Sequence, residues 1–343
     1  MATLENVNYN FEPCLVHQAE MNRLQPQLHY SGGEVKPWQE ALRAKLRELL
    51  GLNRMPREKC PLNVRSLWTR RHELGTIEKI AFSSEQKHDV TAYVCLPFTA
   101  RPPYPFFICL QGHSTGMHVS LGLQQDEATP NDDDGDRDFC IECLRRGIPS
   151  IAIEQRGFGL CEDKYSIVPR CQNPAAHALM LGRTLLGERI FDVDRTIDYL
   201  AARGDVAMDS LGVMGNSGGG TAAMFAGGLL DRISLVMPSC SFSSFKASIM
   251  SIEHCICNYV PQLLLWAEMS DVVALAAPKP LVIVNGKDDP IFPIKEAREG
   301  FEAIREVYRR LDAEPHCHHV IGNGGHRFYA ADAWPVMQRE MER

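Results

Sequence analysis

The chain lacks long hydrophobic runs and an excess of positive charge. Hydrophobic residues make up 45% of its 343 residues and charged residues 23%, which is usual for a globular protein. No apolar stretch approaches the ~20 residues of a membrane-spanning helix. The formal net charge of −7 disfavours binding to nucleic acids or anionic membranes, because both attract proteins through a cationic surface. We therefore expect neither of them as a partner.

The N-terminal stretch and the cysteines do not have the pattern of a small secreted domain. Residues 1–20 contain neither a basic patch nor an apolar segment, so no secretory signal is visible and a cytoplasmic protein is expected. The twelve cysteines are scattered through the chain, unlike those of disulfide-rich domains. We expect most of them to be reduced and buried.

Metal-binding spacings are incomplete. Cys140 and Cys143 form a C-x-x-C pair without a second such pair, which favours core packing over metal or redox chemistry. Residues 255–257 read C-I-C, the wrong spacing for a zinc knuckle, and residues 316–319 alternate between the faces of a predicted strand. The acidic residues 131–136 do not fit the ligand register of an EF-hand loop. The sequence therefore predicts no metal and no cofactor.

Hydrophobic periodicity changes near residue 74. Residues 1–73 carry few strand patterns and include an amphipathic helix over 37–50, which predicts a helical extension packed on the main domain. Residues 74–343 alternate short apolar runs with helical patterns, which predicts eight strands in a mostly parallel α/β sheet. Residues 238–277 are too long for a plain connection, so we expect a small helical insertion that serves as a lid.

A G-x-S-x-G pattern lies between one of these predicted strands and the helix that follows it. It places Ser217 at a sharp turn between Gly215 and Gly219, as in a nucleophile elbow. Bulky neighbours would clash at such a turn. The helix directs its N-terminal amides at the serine, so the backbone N–H of Gly218 is a candidate donor to an oxyanion.

A serine nucleophile needs a histidine base that a carboxylate holds in place. His326 follows the last predicted strand, and Asp288 and Asp289 follow the strand before it. The chain order Ser, Asp, His is that of α/β-hydrolases and differs from that of chymotrypsin or subtilisin folds. Because Pro290 restricts the backbone of the residue before it, Asp289 and Asp288 should point to different sides.

Together these motifs resemble the α/β-hydrolases of the dienelactone hydrolase superfamily, in particular its acetyl xylan esterase-like branch. The resemblance covers residues 75–343 and includes the register of Gly286, Asp289 and Pro293 and the loop at 156–159. It implies that Asp289 is the triad acid, with Asp288 as the alternative. It also implies that the backbone N–H of His113 is the second oxyanion donor, although Gln111 stands where the family usually has histidine.

The expected function is that of a serine carboxylic-ester hydrolase that works through an acyl-enzyme. The resemblance suggests short acyl groups, acetyl above all, and esters of carbohydrates, so the expected partner is a small-molecule ester. A serine peptidase or aminoacyl hydrolase on the same fold is the nearest alternative. A non-catalytic binding protein is a further one, since a fold alone does not guarantee activity. The sequence leaves the oligomeric state open.

Overall fold

A nine-stranded mixed sheet forms the centre of the computed structural model, which describes residues 11–113, 115–132, 135–164 and 171–343. In chain order the strands are β1 (Arg65–Arg71), β2 (Gly75–Glu85), β3 (His88–Pro97), β4 (Phe107–Leu110), β5 (Ser150–Ile153), β6 (Gly212–Asn216), β7 (Leu235–Ser239), β8 (Leu281–Gly286) and β9 (Cys317–Gly322).

The order of the strands across the sheet is β1-β2-β3-β5-β4-β6-β7-β8-β9. β1, β2 and β3 pair antiparallel, β3 joins β5 antiparallel, and all pairs from β5 to β9 are parallel. After β5 the chain crosses to the other side of β4 to form β6, so the strand order reverses beside β4. In open α/β sheets, ligands bind at the carboxyl ends of the strands next to such a switch point.

Helices cover both faces of the sheet. They are α1 (Pro13–Arg23), α2 (Val35–Leu49), α3 (Phe139–Arg145), α4 (Gln172–Met180), α5 (Leu185–Arg203), α6 (Gly218–Leu229), α7 (Leu263–Trp266), α8 (Met269–Ala274), α9 (Ile294–Arg310) and α10 (Ala330–Met341). Side chains of α2, α5, α6, α8 and α9 share one apolar core with one face of the strands, and α3 and α10 cover the other face. Because strand side chains alternate, Ile108 joins the first core while Phe107 and Cys109 join the second.

The predicted α/β-hydrolase architecture with a mostly parallel sheet is confirmed. The sequence predicted eight strands, and the structure adds β1 within the stretch that was expected to be helical. β1 lies at the edge of the sheet, and all of its residues are exposed except Trp68, which is half-buried. A strand with so few buried positions lacks the apolar alternation by which strands are recognised.

The amino-terminal region contacts the carboxyl end of α6. Arg43 and Arg47 of α2 donate hydrogen bonds of 2.9 and 2.8 Å to backbone carbonyls in residues 227–230. Lys279 donates two further bonds of 3.0 Å to two other carbonyls within residues 227–230. The last carbonyls of a helix have no partner within it, and cations there also interact favourably with the helix dipole. Three cations therefore cap the helix that begins at the elbow.

Residues 238–277 contain only short helical pieces. α8 is buried along its whole length, and its N-terminus carries a capping box between Glu268 and Asp271. α8 packs against α6 and α9, so this part of the segment belongs to the core. The 3₁₀ turn Ile256–Asn258 and the residues before it lie nearer the carboxyl ends of the strands. No helix of the described residues is long and apolar enough to span a membrane.

Candidate active site

Ser217 occupies a strained turn between β6 and α6. Its backbone angles are φ 55° and ψ −122°, outside the regions that side-chain-bearing residues normally adopt. A Cβ atom on Gly215 would lie 2.5 Å from the backbone of Gly219, and one on Gly219 would collide with the carbonyl oxygen of Leu110. Both positions therefore require glycine for steric reasons. The turn has the geometry of a nucleophile elbow, as the sequence predicts.

The loop after β4 lies against this elbow. A Cβ atom on Gly112 would sit 3.1 Å from the Cβ atom of Ser217, so the two backbones approach closely. Among the described residues, the backbone N–H groups of His113 and Gly218 donate to no acceptor. Gln111 is buried and donates from Nε2 to the hydroxyl of Ser120 at 2.8 Å. The residue that departs from the family pattern thus braces the loop through its side chain.

Asp289 and His326 form a hydrogen bond at the carboxyl ends of β8 and β9. His326 Nδ1 lies 2.8 Å from Asp289 Oδ2. The other carboxylate oxygen, Oδ1, accepts backbone N–H bonds from Ile291 at 2.8 Å and Phe292 at 3.2 Å. The Asp289 side chain is fully buried, whereas Asp288 is exposed. The structure therefore pairs His326 with Asp289.

Cys240 links this pair to the elbow. The backbone N–H of Ser217 donates to the carbonyl of Ser239 at 2.9 Å, which brings the end of β7 beside the serine. The Cys240 sulfur, a carboxylate oxygen of Asp289 and a ring nitrogen of His326 all lie within 4.8 Å of one another. Burial, together with the Asp289 charge, raises the pKa of the Cys240 thiol to about 12. Cys240 therefore remains a neutral thiol, which donates to the carbonyl of Arg327 at 3.1 Å.

A series of rings connects the loop after β4 to His326. The ring centroids of Phe158 and His113 are 4.8 Å apart, those of His113 and His254 6.2 Å, and those of His254 and Phe292 6.4 Å. Phe292 in turn stacks on His326 at 5.9 Å. Burial lowers the pKa of His254, and the neighbouring His113 lowers it further, so His254 presents a neutral ring. These side chains form a wall beside the elbow.

His254 is the member of this wall that sequence analysis missed. It comes from the 238–277 insertion, and a single histidine in an irregular segment carries no periodic signal. Three aromatic residues of the same insertion do not belong to this wall. Phe242 is fully buried in the main core, and Trp266 lies under Lys45 with its ring centroid 4.1 Å from Nζ. Tyr259 donates its hydroxyl to the carbonyl of Ile249 at 2.9 Å. In the part of the chain that the structure describes, the ring in contact with His326 is instead that of Phe292.

Arg156 of the loop at 156–159 braces the scaffold. Its Nε and Nη2 atoms each donate to the carboxylate of Asp192 on α5 at 2.8 Å. Asp192 is fully buried; burial would raise the pKa of its carboxyl, but the Arg156 charge and hydrogen bonds outweigh burial and hold it at about 2. Arg156 also bonds Glu85 at 2.7 Å. It therefore fixes the loop through a buried ion pair.

An open, polar pocket of about 340 Å³ adjoins His113. Its lining is mostly hydrogen-bonding side chains and includes His113, Thr115, His118, Gln124, Gln125 and Arg137. Such a lining matches ligands that carry many hydroxyl groups, because each hydroxyl needs a hydrogen-bond partner when it leaves water.

A second group of side chains lies behind His113. A ring nitrogen of His113 and the sulfurs of Cys171, Cys255 and Cys257 all lie within 4.8 Å of one another. His113 Nε2 is 2.8 Å from Cys257 Sγ, and the sulfurs of Cys171 and Cys255 are 2.6 Å apart. Hydrogen bonds from Cys171 and Cys255 hold the pKa of the Cys257 thiol well below its usual range. The imidazole of the predicted oxyanion loop thus lies within 4.8 Å of cysteine sulfurs from two other segments.

Comparison with known proteins identifies similar folds. No protein-family model matches the chain. A Bacillus subtilis (strain 168) protein, YtaP, provisionally named as a hydrolase, is 25% identical over 283 residues, which cover 80% of this chain and 90% of that protein.

Solved structures resemble the chain over most of its length. One, provisionally named as an acetyl xylan esterase of Bacteroides fragilis NCTC 9343, superposes with a TM-score of 0.73 at 17% identity and covers 92% of this chain and 83% of its own. A glucuronoyl esterase from Solibacter usitatus has a TM-score of 0.66 at 15% identity, with 93% and 97% covered. The strand order, the elbow and these likenesses together show that the chain has the α/β-hydrolase fold.

Proposed function

We propose that this chain is a serine ester hydrolase in which Ser217, His326 and Asp289 act as nucleophile, base and acid. The observation that carries the proposal is the buried Asp289–His326 hydrogen bond of 2.8 Å at the same sheet edge as the strained Ser217. Strain at a serine that ends a central strand is characteristic of a nucleophile elbow. The esterase names of the structural neighbours and the hydrolase name of the Bacillus subtilis relative point the same way.

The reaction follows from the two ring nitrogens of His326. Nδ1–H donates to Asp289, which leaves Nε2 free to accept the Ser217 hydroxyl proton as Oγ attacks the ester carbonyl. The N–H groups of Gly218 and His113 donate to the oxyanion that forms. The C–O bond to the alcohol then breaks, and His326 returns the proton to the departing alkoxide. Water attacks the acyl-enzyme through the same base, which releases the acid and restores Ser217.

We further propose that the substrate is a short acyl ester of a carbohydrate. The ring of Phe292 stacks on His326 and that of His254 lies 6.4 Å from Phe292, so we expect little space for a long acyl chain beside the base. The polar pocket next to His113 offers hydrogen-bond partners for the hydroxyl groups of a sugar. An acetyl group on the acyl side and a sugar on the alcohol side would use both surfaces.

The test compares ester, amide and probe reactions of the purified chain. We expect hydrolysis of p-nitrophenyl acetate and of acetylated xylo-oligosaccharides, with kcat/KM falling as the acyl chain lengthens to octanoate. A fluorophosphonate probe should label the wild type and not Ser217→Ala. Ser241→Ala is a matched control, because Ser241 is buried nearby and its hydroxyl has no hydrogen-bond partner among the residues that the structure describes.

Two results would overturn the proposal. Equal labelling of Ser217→Ala and the wild type, or no labelling of either, would favour a different nucleophile or a binding protein. Hydrolysis of p-nitroanilides at least as fast as that of the matching esters would favour the peptidase alternative.

A further inference from the structure

The cluster of His113, Cys171, Cys255 and Cys257 brings together three separate parts of the chain. His113 lies in the loop after β4, Cys171 directly precedes α4, and Cys255 and Cys257 flank the start of the 3₁₀ turn in the 238–277 insertion. Neighbours along the chain do not account for this proximity, since 84 residues separate Cys171 from Cys255. The sequence alone showed only C-I-C, so its prediction of no metal rested on an incomplete set.

The four side chains make up a common zinc-binding donor set. Structural zinc sites are tetrahedral and use four cysteine or histidine ligands, with Cys₃His among the frequent combinations. With Zn–S bonds of ~2.3 Å, neighbouring ligand atoms in such a tetrahedron lie roughly 3.8 Å apart. Here all four ligand atoms lie within 4.8 Å of one another, and the sulfurs of Cys171 and Cys255 are 2.6 Å apart. Small side-chain movements therefore suffice to surround one ion.

The charge next to the cluster matches an occupied site. Arg189 is 1% exposed, and its Nη1 lies 3.5 Å from Cys257 Sγ. Its Nε donates to the carbonyl of Arg156 at 2.9 Å, and within the described residues it has no carboxylate partner and its Nη2 has no hydrogen-bond partner. A buried cation without a counter-charge is costly. Three thiolates and one Zn²⁺ carry a net charge of −1, which would compensate the Arg189 guanidinium.

The surroundings also fit a structural ion. Cys171 and Cys257 are buried and share a small apolar cluster with Ala175, Leu185 and Ile256. The cluster supplies four protein ligands, so a tetrahedral ion would have no open position for water or substrate. The C-x-x-C cysteines, Cys140 and Cys143, are not part of this cluster.

We propose that His113 Nε2 and the sulfurs of Cys171, Cys255 and Cys257 bind one structural Zn²⁺ ion. On binding, the three thiols lose their protons and each sulfur forms one bond to the metal. The ion ties the insertion and the residue before α4 to the loop after β4. If the function proposed above is correct, this bond also fixes the loop whose N–H group at His113 holds the oxyanion. The binding itself does not depend on that function.

Metal content provides the first test. The full chain is purified without chelator and without a histidine tag, and zinc is measured by mass spectrometry of the elements. We expect about one Zn²⁺ per chain in the wild type and a loss to near zero in Cys255→Ser and Cys257→Ser. Cys317→Ser is the matched control, since Cys317 is a buried free cysteine on β9, and it should keep the metal. Ser217→Ala should also keep it, which separates this proposal from that of esterase activity.

A spectroscopic test does not depend on the folding of a variant. Wild-type chain is stripped with chelator and reductant and then titrated with Co²⁺ alone, and the visible bands of tetrahedral cobalt and the thiolate charge-transfer absorption are followed. We expect both bands to saturate at one equivalent and to disappear when Zn²⁺ is added.

Either of two outcomes overturns the proposal. One is a reduced wild-type chain that gives no cobalt spectrum and retains no zinc after incubation with Zn²⁺. The other is a purified chain without metal in which peptide mass spectrometry finds Cys171 and Cys255 joined as a disulfide.

Discussion

Replacing Asp289 by asparagine tests the proposed acid and base most directly. In the structure Asp289 Oδ1 accepts two backbone N–H bonds, from Ile291 and Phe292, while Oδ2 faces His326 Nδ1. An asparagine at this position keeps the two backbone bonds only if its carbonyl oxygen replaces Oδ1. Its NH₂ group must then face His326 and donate to Nδ1. The neutral imidazole is thereby held with its proton on Nε2, where it cannot accept the Ser217 proton.

The expected loss of activity is large, and the expected loss of stability is small. In serine hydrolases this tautomer change lowers kcat by about 10⁴-fold, which corresponds to about 5.4 kcal/mol at ~1.36 kcal/mol for each factor of ten. The folded state keeps both backbone bonds and exchanges one side-chain hydrogen bond for another. We therefore expect the free energy of unfolding to change by no more than about 1.5 kcal/mol.

The assay compares Asp289→Asn with Asp288→Asn on p-nitrophenyl acetate, with urea unfolding of both variants. Asp288 is the matched control because it is the adjacent aspartate and its side chain is exposed. Its replacement should change kcat by less than about threefold, since surface substitutions cost little. An Asp288→Asn enzyme that is inactive beside an active Asp289→Asn enzyme would refute the assignment of the acid. Equal and small effects of both would refute the triad.

Three further predictions concern the scaffold. Arg156→Ala leaves the buried carboxylate of Asp192 without its arginine partner, so urea unfolding should show a loss of about 3 to 5 kcal/mol; a loss below 1 kcal/mol would contradict the ion-pair argument. Burial raises the pKa of Glu154 from 4.5 to about 7, so the unfolded carboxyl ionises first and stability falls as pH rises through this range. The Glu154→Gln variant lacks this dependence. Between pH 5 and 8 the free energy of unfolding of the wild type should therefore fall by about 2 to 3 kcal/mol relative to that of the variant; parallel pH profiles would exclude this. Gly219→Ala places a methyl group against the Leu110 carbonyl and should sharply lower the melting temperature and the probe labelling; normal labelling would disprove the steric requirement for glycine.

The features that sequence could predict are those that local chemistry determines. Glycine at 215 and 219 is required by the close backbone contacts of the turn at Ser217, and a turn of this kind carries its own sequence pattern. The buried parallel strands are short apolar runs. The sequence therefore predicted where along the chain they lie and which residues follow each of them. The hydrogen bond of Asp289 to His326 agrees with the register inferred from Pro290, while the catalytic roles of both residues stay a prediction.

The features that sequence missed depend on contacts between distant segments. β1 is a polar edge strand, so the bonding capacity of β2 determines its conformation more than its own side chains do. His254 approaches His113 and Phe292 only because the insertion folds back over the strand ends. The proposed zinc ligands are likewise dispersed along the chain, and no spacing rule connects His113 to Cys171.

The three cations at the carboxyl end of α6 affect how the chain can be shortened. Arg43 and Arg47 belong to α2, yet the carbonyls that they cap are at the far end of the helix that starts beside Ser217. A fragment that begins at residue 74 would look complete by its parallel strands. It would nevertheless leave the elbow helix with exposed carbonyls and an uncovered apolar flank where α2 had been. We therefore expect a fragment that keeps α2 to be more stable than one that begins at residue 74.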